Sequence, residues 1–428
     1  MASRDTRANL ALLVLSALLS VLAFEVGARL LIRPSAGSWG TLLGRALPPL
    51  RVIPPRLPEA PAPATATADT AAPAAPRADD PIGWLDMQGP IREDPVCGYA
   101  PLERATSPHG WWTTNNIGAR STTDTQPQPP PGVRRVLVFG ESFASGSRVR
   151  QEAAWPSVLA ASDGLDVVNL AVDGYGLGQS LLRFRQLAPM LDYDTVLLVF
   201  VPSTDLWRDV NTIRSLAKPS WNSYTVMPRF VLQNDGLVLA QSPYARGSDI
   251  YADNAAGLAP RLRDHLRAYD RFYFRSLYES PPVVGGLVLY KIGALVQAAI
   301  AKGLLLRDAG AGHFALDSEA LRVSRKIVET MRDETSLGKG FVLAILPDHA
   351  TLRKLRRSTA SARNWHDLVA AMCDHTACID LAPPLLATPP EQLDRGFDGS
   401  HFGPSGNRLI AAAIGPGLRA LARIENLE

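Results

Sequence analysis

Short runs of consecutive apolar residues, separated by amphipathic segments, characterise the C-terminal part of the chain. Because apolar residues fill these runs without alternation, each run predicts a parallel strand that is buried on both faces. The predicted strands are Arg134–Gly140, Asp166–Val172, Thr195–Val201 and Gly340–Leu346. Helical patterns lie at about 152–162, 177–190, 316–335 and 405–422. Strands that alternate with helices predict an α/β fold with a parallel sheet covered on both faces.

A long excursion, residues 206–315, separates the third predicted strand from the fourth. Within it, Arg229–Ala240 has the pattern of a β-hairpin with a turn at Asn234-Asp235-Gly236. Two helical patterns follow at 261–278 and at about 284–305. The second pattern is apolar, but it is too short and too often interrupted by glycine to predict a membrane span. We interpret the excursion as an inserted cap of a hairpin and helices that packs beside the sheet.

The N-terminal residues predict a membrane helix. Leu10–Phe24 is apolar and uncharged, and Val26–Ile32 continues the run after Glu25, with Arg29 inside it. About 20 apolar residues cross a bilayer core, so residues 10–32 suffice if the charged end lies at the interface. A cleaved signal peptide is the alternative, but we favour an uncleaved anchor because no convincing small-x-small cleavage site follows the run. Arginines lie on both sides of this segment, so the positive-inside rule does not favour an external domain.

Composition divides the chain into three parts. Residues 1–33 form the predicted anchor. Residues 34–82 are rich in Ala and Pro and lack the large apolar side chains that a folded segment needs, so we predict a semi-extended linker. One α/β domain is predicted at 83–428, with the 206–315 insertion inside it.

Charge and cysteine content exclude several classes of function. The net charge is only +3, without a stripe of Lys and Arg interleaved with aromatics, which argues against nucleic-acid binding. The three cysteines have no metal-ligand spacing, and we predict neither a metal site nor a cofactor. Cys373 and Cys378 form either a small disulfide, in an oxidising compartment, or two unpaired core thiols. Whether or not this disulfide forms, Cys97 has no cysteine to pair with.

Three short motifs carry candidate chemistry. In Gly140-Glu141-Ser142-Phe143, a serine follows the first predicted strand, at the carboxyl end where ligands bind in open α/β sheets. In Asp398-Gly-Ser-His401, the carboxylate can orient the imidazole, and the imidazole can activate a serine hydroxyl. A glycine-rich turn at Gly174–Gly176 lets backbone N–H groups approach a substrate oxygen. Alone, each motif also fits a structural role: a helix N-cap, a surface pair or an ordinary turn.

Together and in this order, the motifs resemble the SGNH/GDSL hydrolase superfamily over roughly residues 134–420. The resemblance implies a flavodoxin-like three-layer α/β/α fold and hydrolysis of esters. It also implies a catalytic triad of Ser142, Asp398 and His401, and an oxyanion hole formed by Ser142, Gly174 and Thr204.

Two residues depart from the family pattern. Glu141 stands where the family usually has Asp, which preserves the charge. Thr204 stands where the third family block usually has Asn, whose side chain helps to form the oxyanion hole. Because a hydroxyl is shorter than an amide, and one lost donor costs roughly 3 kcal/mol, the substitution predicts a slower site, another donor or an inactive protein.

The N-terminal layout, with an anchor, then NNIGAR at 115–120, then the strand before Ser142, looks like envelope-facing members of the family. Such members often act on acyl groups of surface glycans or lipids. We therefore expect a single-pass inner-membrane serine esterase with a periplasmic or otherwise extracytoplasmic domain. The expected substrate is an acylated, for example acetylated, glycan or lipid. An acyltransferase on the same scaffold and an inactive, membrane-tethered glycan-binding or assembly protein are the alternatives.

The remaining aromatic and histidine residues give weaker signals. Trp111, Trp112, Trp155 and Trp207 are candidates for a sugar-binding face, although packing is the commoner role of such residues. The other histidines have no partner spacing, and we interpret them as structural: His109, His265, His313, His349, His366 and His375.

Overall fold

The computed structural model describes residues 4–35, 38–52, 91–107, 110–218, 225–279, 281–282, 284–310 and 313–425. Most of the predicted linker, from residue 53 onwards, lies outside these residues, as does His109.

The elements are numbered here in chain order. The strands are β1 (Gly40–Leu42), β2 (Arg45–Leu47), β3 (Ile91–Asp94), β4 (Gly98–Pro101), β5 (Arg135–Phe139), β6 (Asp166–Asn169), β7 (Thr195–Phe200), β8 (Arg229–Gln233), β9 (Gly236–Ala240), β10 (Ala309–Gly310), β11 (His313–Phe314), β12 (Gly340–Ile345) and β13 (Cys378–Asp380). The helices are α1 (Arg4–Leu30), α2 (Trp155–Asp163), α3 (Leu177–Leu187), α4 (Pro202–Arg208), α5 (Arg214–Ala217), α6 (Asp249–Asp253), α7 (Pro260–Tyr269), α8 (Arg275–Tyr278), α9 (Val288–Asp308), α10 (Glu319–Asp333), α11 (His349–Arg357), α12 (Thr359–Met372), α13 (Ala382–Ala387) and α14 (Pro404–Glu425). Short 3-10 turns lie at Gln151–Ala153, Ala188–Met190 and Pro390–Gln392.

A five-stranded parallel sheet in the order β13-β12-β7-β5-β6 forms the centre of the fold. Counted along the chain, this is the 2-1-3-4-5 order of flavodoxin-like proteins. The four predicted strands are confirmed. The fifth strand, β13, was not predicted from the sequence because it is three residues long and only half-buried, so it leaves no continuous apolar run.

Helices cover the sheet on both faces, which confirms the predicted three-layer α/β/α fold. On one face, Val136 and Val138 of β5 pack in a core cluster with Trp155 of α2 and Ile414 of α14. On the other face, the Phe139 ring contacts the Phe184 ring of α3 edge-on, with centroids 5.7 Å apart, and α10 packs against α3. Because successive residues of a strand point to opposite faces, β5 is apolar at every position from Val136 to Phe139.

The long excursion contains the predicted hairpin but not the predicted first helix. β8 and β9 pair in register around Asn234 and Asp235, which both have positive φ angles, as a two-residue type I′ turn requires. The single helix predicted at 261–278 is wrong. Helix α7 ends at Tyr269, where the Asp270 carboxylate accepts the N–H of Phe272 and turns the chain before the one-turn helix α8.

The chain divides into two compact units. Residues 250–304 belong with the N-terminal residues up to 57, whereas 58–249 and 305–428 contain the sheet. The excursion predicted as one insertion therefore contributes its hairpin to the sheet-containing unit and its helices to the N-terminal unit. The predicted boundaries at 33 and 82 stay a prediction.

Within the N-terminal unit, the end of α1 is built into the fold. The Glu25 carboxylate accepts the backbone N–H groups of Val288, at 2.9 and 2.8 Å, and of Leu289, at 3.4 Å. Ala28 lies in a small core with Val288 and Leu47. The carboxylate therefore caps the N-terminus of α9, where unpaired N–H groups and the helix dipole favour a negative charge.

A disulfide joins Cys373 to Cys378, and Cys97 is a buried free thiol. The bond links the end of α12 to the edge strand β13. Of the two alternatives left open by the sequence, the structure shows the disulfide.

We expect Cys378→Ser to lower the free energy of unfolding of the oxidised protein by roughly 2 kcal/mol, because a short closed loop restricts the unfolded chain by about that amount. Urea unfolding curves measure the change. Reductant should bring the unsubstituted protein to the stability of the variant and leave the variant unaltered. If reductant destabilises both proteins equally, the bond does not stabilise the fold in this way.

Candidate active site

Ser142 occupies the turn that follows β5, and Gly140 makes this turn possible. Gly140 has a φ angle of +142°, which strongly favours glycine. A Cβ atom at this position would lie 2.5 Å from the Cβ of Ala144 and 2.9 Å from the carbonyl oxygen of Val199 on β7. The chain therefore turns tightly against the neighbouring strand and places Ser142 at the carboxyl end of the sheet.

The structure brings Ser142, His401 and Asp398 into one chain of hydrogen-bonding distances. His401 Nε2 lies 2.7 Å from Ser142 Oγ, and His401 Nδ1 lies 2.6 Å from Asp398 Oδ2. Asp398 Oδ1 accepts the backbone N–H groups of Ser400 and His401, which fixes the loop before α14. The Phe143 ring stacks on the imidazole at a centroid distance of 4.3 Å. The structure thus brings together the three residues that two separate motifs predicted, in the order carboxylate, imidazole and hydroxyl.

The Asp398 carboxylate is held in its charged form. Partial burial raises its pKa, but hydrogen bonds from His401 and Ser400 and the charge of the imidazole lower the pKa well below the ordinary value. The Arg148 guanidinium lies 3.3 Å from Oδ2 and also pairs with Asp173 at 2.9 Å. A charged Asp398 can hold the Nδ1–H tautomer of His401, which leaves Nε2 free to accept a proton.

Glu141, expected only to preserve a charge, contacts the candidate nucleophile directly. Its Oε2 lies 2.6 Å from Ser142 Oγ, and its Oε1 accepts the N–H of Phe143 at 2.9 Å. The Arg208 guanidinium donates to the same Oε2 at 3.0 Å, and both side chains of this ion pair are completely buried or nearly so. Ser142 has a single proton, so its hydroxyl donates either to Glu141 or to His401, but not to both at once.

Arg208 is the main residue that sequence reasoning missed. It lies on α4, 67 residues after Glu141 in the chain, and it also donates to the Tyr175 carbonyl at 2.9 Å. The available signal was a charged residue, Glu141, directly after a predicted buried strand, because a buried carboxylate needs a paired cation.

The backbone N–H groups of Ser142 and Gly174 are suitably free to bind an oxyanion. Both residues are buried, and within the described part of the chain neither N–H makes a hydrogen bond. Gly174 has a φ angle of +82°, which favours glycine. A buried N–H without a protein partner is uncommon and is available to bind water or a ligand.

Thr204 is placed differently from the expected oxyanion donor. It lies in the first turn of α4, and its hydroxyl donates to the Val201 carbonyl at 3.0 Å. The neighbouring Ser203 hydroxyl is buried and has no hydrogen-bond partner among the described residues. Asp205 fixes this turn by accepting the Val201 N–H at 2.7 Å, and burial together with the nearby Glu141 charge raises its pKa.

The NNIGAR segment supports the loop that carries Ser142. Arg120 donates to the carbonyls of Ser145, Gly146 and Val149, at 2.9, 2.6 and 2.8 Å. Asn115 Oδ1 accepts backbone N–H groups of its own loop. The segment therefore holds in place residues 145–149, which follow the candidate nucleophile in the chain.

Of the four tryptophans considered for sugar binding, only Trp111 remains partly exposed. Trp112, Trp155 and Trp207 are buried and pack in the interior. The Trp111 ring meets the exposed Phe397 edge-on at 5.0 Å, next to Asp398 in the chain. These four tryptophans therefore do not form a sugar-binding face, whereas one aromatic pair lies beside the loop of Asp398.

The histidines outside this site are scattered. His265 is buried beside Tyr269, His349 lies against the Phe402 ring, and His366 and His375 are exposed. His313 is also exposed, at the start of β11. Among the described residues, no three His, Cys, Asp or Glu side chains are grouped so as to hold a metal ion.

Comparisons with known proteins found similarity only to solved structures. No protein-family model and no curated protein matches the chain. A GDSL-family lipolytic protein from Desulfitobacterium hafniense DCB-2 is 12% identical, with a TM-score of 0.28, and covers 66% of this chain and 98% of its own. LAE5, an alpha/beta hydrolase enzyme from the metagenome of Lake Arreo, is 13% identical over 66% of this chain and 94% of its own, with a TM-score of 0.34.

A carbohydrate esterase family 2 enzyme with a carbohydrate-binding domain from Corynascus thermopiles is 12% identical, with a TM-score of 0.26, over 69% of each chain. The matches include the GDSL family, which the sequence motifs resemble.

We expect Arg208→Met to lower the free energy of unfolding by about 3–5 kcal/mol, because it leaves the buried Glu141 carboxylate without its cation. Arg185→Met is the matched control, since Arg185 pairs with Glu334 on the surface, and an exposed pair contributes at most about 1 kcal/mol. Urea unfolding measures both variants. Equal losses in the two would contradict a special role for the buried pair.

Proposed function

We propose that this protein is a membrane-anchored serine esterase with Ser142 as nucleophile, His401 as general base and Asp398 as the acid that orients it. The observation that carries the proposal is the continuous chain of short distances from Asp398 through His401 to Ser142, 2.6 and 2.7 Å. An inactive glycan-binding protein would have no need to hold His401 and Asp398 in this geometry against Ser142, which lies 259 positions before His401.

The proposed reaction follows from these contacts. Ser142 Oγ attacks the carbonyl carbon of the ester while His401 Nε2 takes the hydroxyl proton. The N–H groups of Ser142 and Gly174 stabilise the negative oxygen of the tetrahedral intermediate. His401 then gives the proton to the departing alcohol, and water hydrolyses the acyl-enzyme by the same steps in reverse order.

The Glu141–Arg208 pair influences the nucleophile before the reaction. When the Ser142 hydroxyl donates to His401, Glu141 Oε2 keeps the Arg208 guanidinium as its partner. The charge of the Glu141 carboxylate is thus balanced by the Arg208 cation. Because of this pairing, Glu141 competes less with the His401 imidazole for the serine proton.

We further propose that α1 is a retained anchor and not a cleaved signal peptide. Leu12–Leu30 is long and apolar enough to cross a membrane, and its side chains from Leu12 to Phe24 are exposed. Glu25 and Ala28, near its end, cap α9 and fill a core. Cleavage after this segment would remove both contacts from the folded unit.

The proposed location is the extracytoplasmic side of the inner membrane, and the proposed substrate is an acylated, for example acetylated, envelope glycan or lipid. The Cys373–Cys378 disulfide supports this side, because disulfides persist in oxidising compartments such as the periplasm. The Trp111–Phe397 pair beside the loop of Asp398 supports a glycan, since sugars stack on aromatic rings at binding sites.

We expect Ser142→Ala to abolish both hydrolysis of a small acetyl ester and labelling by a fluorophosphonate probe, because the variant lacks the attacking oxygen. Ser162→Ala, at an exposed serine on α2, is the matched control and should keep both activities. Circular dichroism establishes that the variants are folded. Full turnover by Ser142→Ala would refute the assignment of the nucleophile.

We expect Thr204→Val to keep kcat close to that of the unsubstituted protein, because the Thr204 hydroxyl already donates to Val201 and supplies nothing to the oxyanion. Thr204→Asn should raise kcat, by up to about a hundredfold if its amide reaches the hole. KM should change less, because the donor acts on charge that exists only in the transition state. A much slower Thr204→Val enzyme would show that the hydroxyl does serve as a donor.

A further inference from the structure

Helix α9 carries an apolar stripe that remains exposed among the described residues. Leu289, Val296, Ile300 and Leu304 are 46, 54, 61 and 48% exposed. Their spacing of seven, four and four residues places them on one face of the helix, and we call them the exposed stripe. On the opposite face Ala294 and Ala298 are buried. Contiguous apolar surface of this kind marks a site of contact with a partner or a membrane.

By length and hydropathy alone, α9 could cross a membrane, since Val288–Arg307 forms a 20-residue apolar helix. The connectivity of the sheet excludes this. Strand β7 precedes α9 in the chain and strand β12 follows it. These two strands pair in parallel, from Thr195 opposite Gly340 to Phe200 opposite Ile345. A single crossing between them would put paired strands on opposite sides of the bilayer.

No second crossing returns the chain to the same side. Among the described residues, α1 and α9 are the two helices that are long and apolar enough to span. The gaps in the description between β7 and β12 contain at most six consecutive residues, 219–224, and about 20 are needed to span. Helix α9 therefore remains on one side of the membrane.

The start of α9 is fixed to the end of the apolar run of α1. Glu25 caps α9 at Val288, and Arg29 donates to the Gly286 carbonyl at 2.7 Å. Charged side chains are expensive in the hydrocarbon core, so Glu25 and Arg29 mark the level at which α1 leaves it. Helix α9 begins at that level.

Aromatic and basic side chains gather at the same place. Trp39 is 38% exposed, and its ring lies 5.8 Å from the guanidinium of the exposed Arg29. The Lys291 ammonium, 4.3 Å from the same ring, is buried and donates to the Pro48 carbonyl, so it supports Trp39 from within the fold. Tryptophan and long basic side chains are enriched at membrane–water interfaces, where an apolar body and a polar end are both satisfied.

We propose that α9 lies along the membrane surface, with the exposed stripe immersed about 5–10 Å deep at the boundary of head groups and acyl chains. The occupant of the stripe is the lipid bilayer that α1 crosses. With α1, the helix forms a second point of attachment that restricts rotation of the N-terminal unit about the anchor. The inference rests on the proposed anchor and is independent of the esterase chemistry.

The test uses the full-length protein in phospholipid vesicles, with the environment-sensitive fluorophore NBD on one introduced cysteine at a time. Val296→Cys and Ile300→Cys report on the exposed stripe, and Leu18→Cys reports on α1. Leu337→Cys is the matched control, because Leu337 is fully exposed on the sheet-containing unit. The unsubstituted protein is the labelling blank, since Cys97 is buried and the other cysteines are bonded.

Quenching by nitroxide lipids then measures depth. We expect the emission at 296 and 300 to shift to the blue and to be quenched most by a nitroxide near the head group. The emission at 18 should be quenched most by a nitroxide deep in the acyl chains. Neither nitroxide should quench the emission at 337. Circular dichroism of each labelled protein establishes that it is folded.

Each contrary result has a distinct meaning. Water-like emission at 296 and 300 overturns the proposal, and so does a blue shift without lipid quenching, which would indicate a protein partner or a second copy. Deep quenching at 296 and 300 would mean that α9 spans after all. Water-like emission at 18 would overturn the anchor itself, whereas labelling of Ser142 in the same samples tests the esterase separately.

Discussion

The candidate site depends on how closely the chain approaches strand β7 at Gly140. A side chain there would collide with the Val199 carbonyl and with Ala144, so the turn exists only with glycine and fixes Ser142 at the edge of the sheet. Three other groups of the site come to this point from other elements. The loop before α14 supplies the imidazole, the turn after β6 supplies a backbone N–H, and α4 supplies the guanidinium that balances Glu141.

Buried arginines hold these irregular elements in place. Loops lack the regular hydrogen bonds of helices and strands, and their carbonyls must still be satisfied when they are buried. A guanidinium carries five donors in a planar fork. Arg120 uses its donors on three carbonyls behind Ser142, Arg148 connects Asp173 with Asp398, and Arg208 connects Glu141 with Tyr175. These contacts therefore satisfy and connect the loops of the site, although the loops contain little secondary structure.

The parts that were predictable from the sequence are those with a local pattern. Continuous apolar runs predicted four of the five strands, the Asn234–Gly236 turn predicted the hairpin, and short motifs predicted the residues that meet at Ser142. Interactions between distant residues leave no such pattern. The pairing of Glu141 with Arg208 depends on a partner that only the folded chain brings near. The break at Asp270 and the donor direction of the Thr204 hydroxyl involve near neighbours, Phe272 and Val201, but no pattern in the surrounding residues reveals these contacts. The assignment of residues 250–304 to the N-terminal unit, instead of to a cap beside the sheet, also depends on contacts between distant residues.

The hydrogen bond between His401 Nε2 and Ser142 Oγ joins residues 259 positions apart. One partner follows the first strand of the sheet, and the other precedes the last helix of the chain. During synthesis, the turn at Gly140 can therefore form long before His401 exists. In the proposed mechanism, Ser142 then lacks its general base until the loop before α14 docks. Under this mechanism, a protein truncated before residue 398, or one whose C-terminal helix fails to pack, would contain a well-formed serine turn without activity. For this reason, labelling of Ser142 by an active-site probe would report that the C-terminal segment has docked on the sheet.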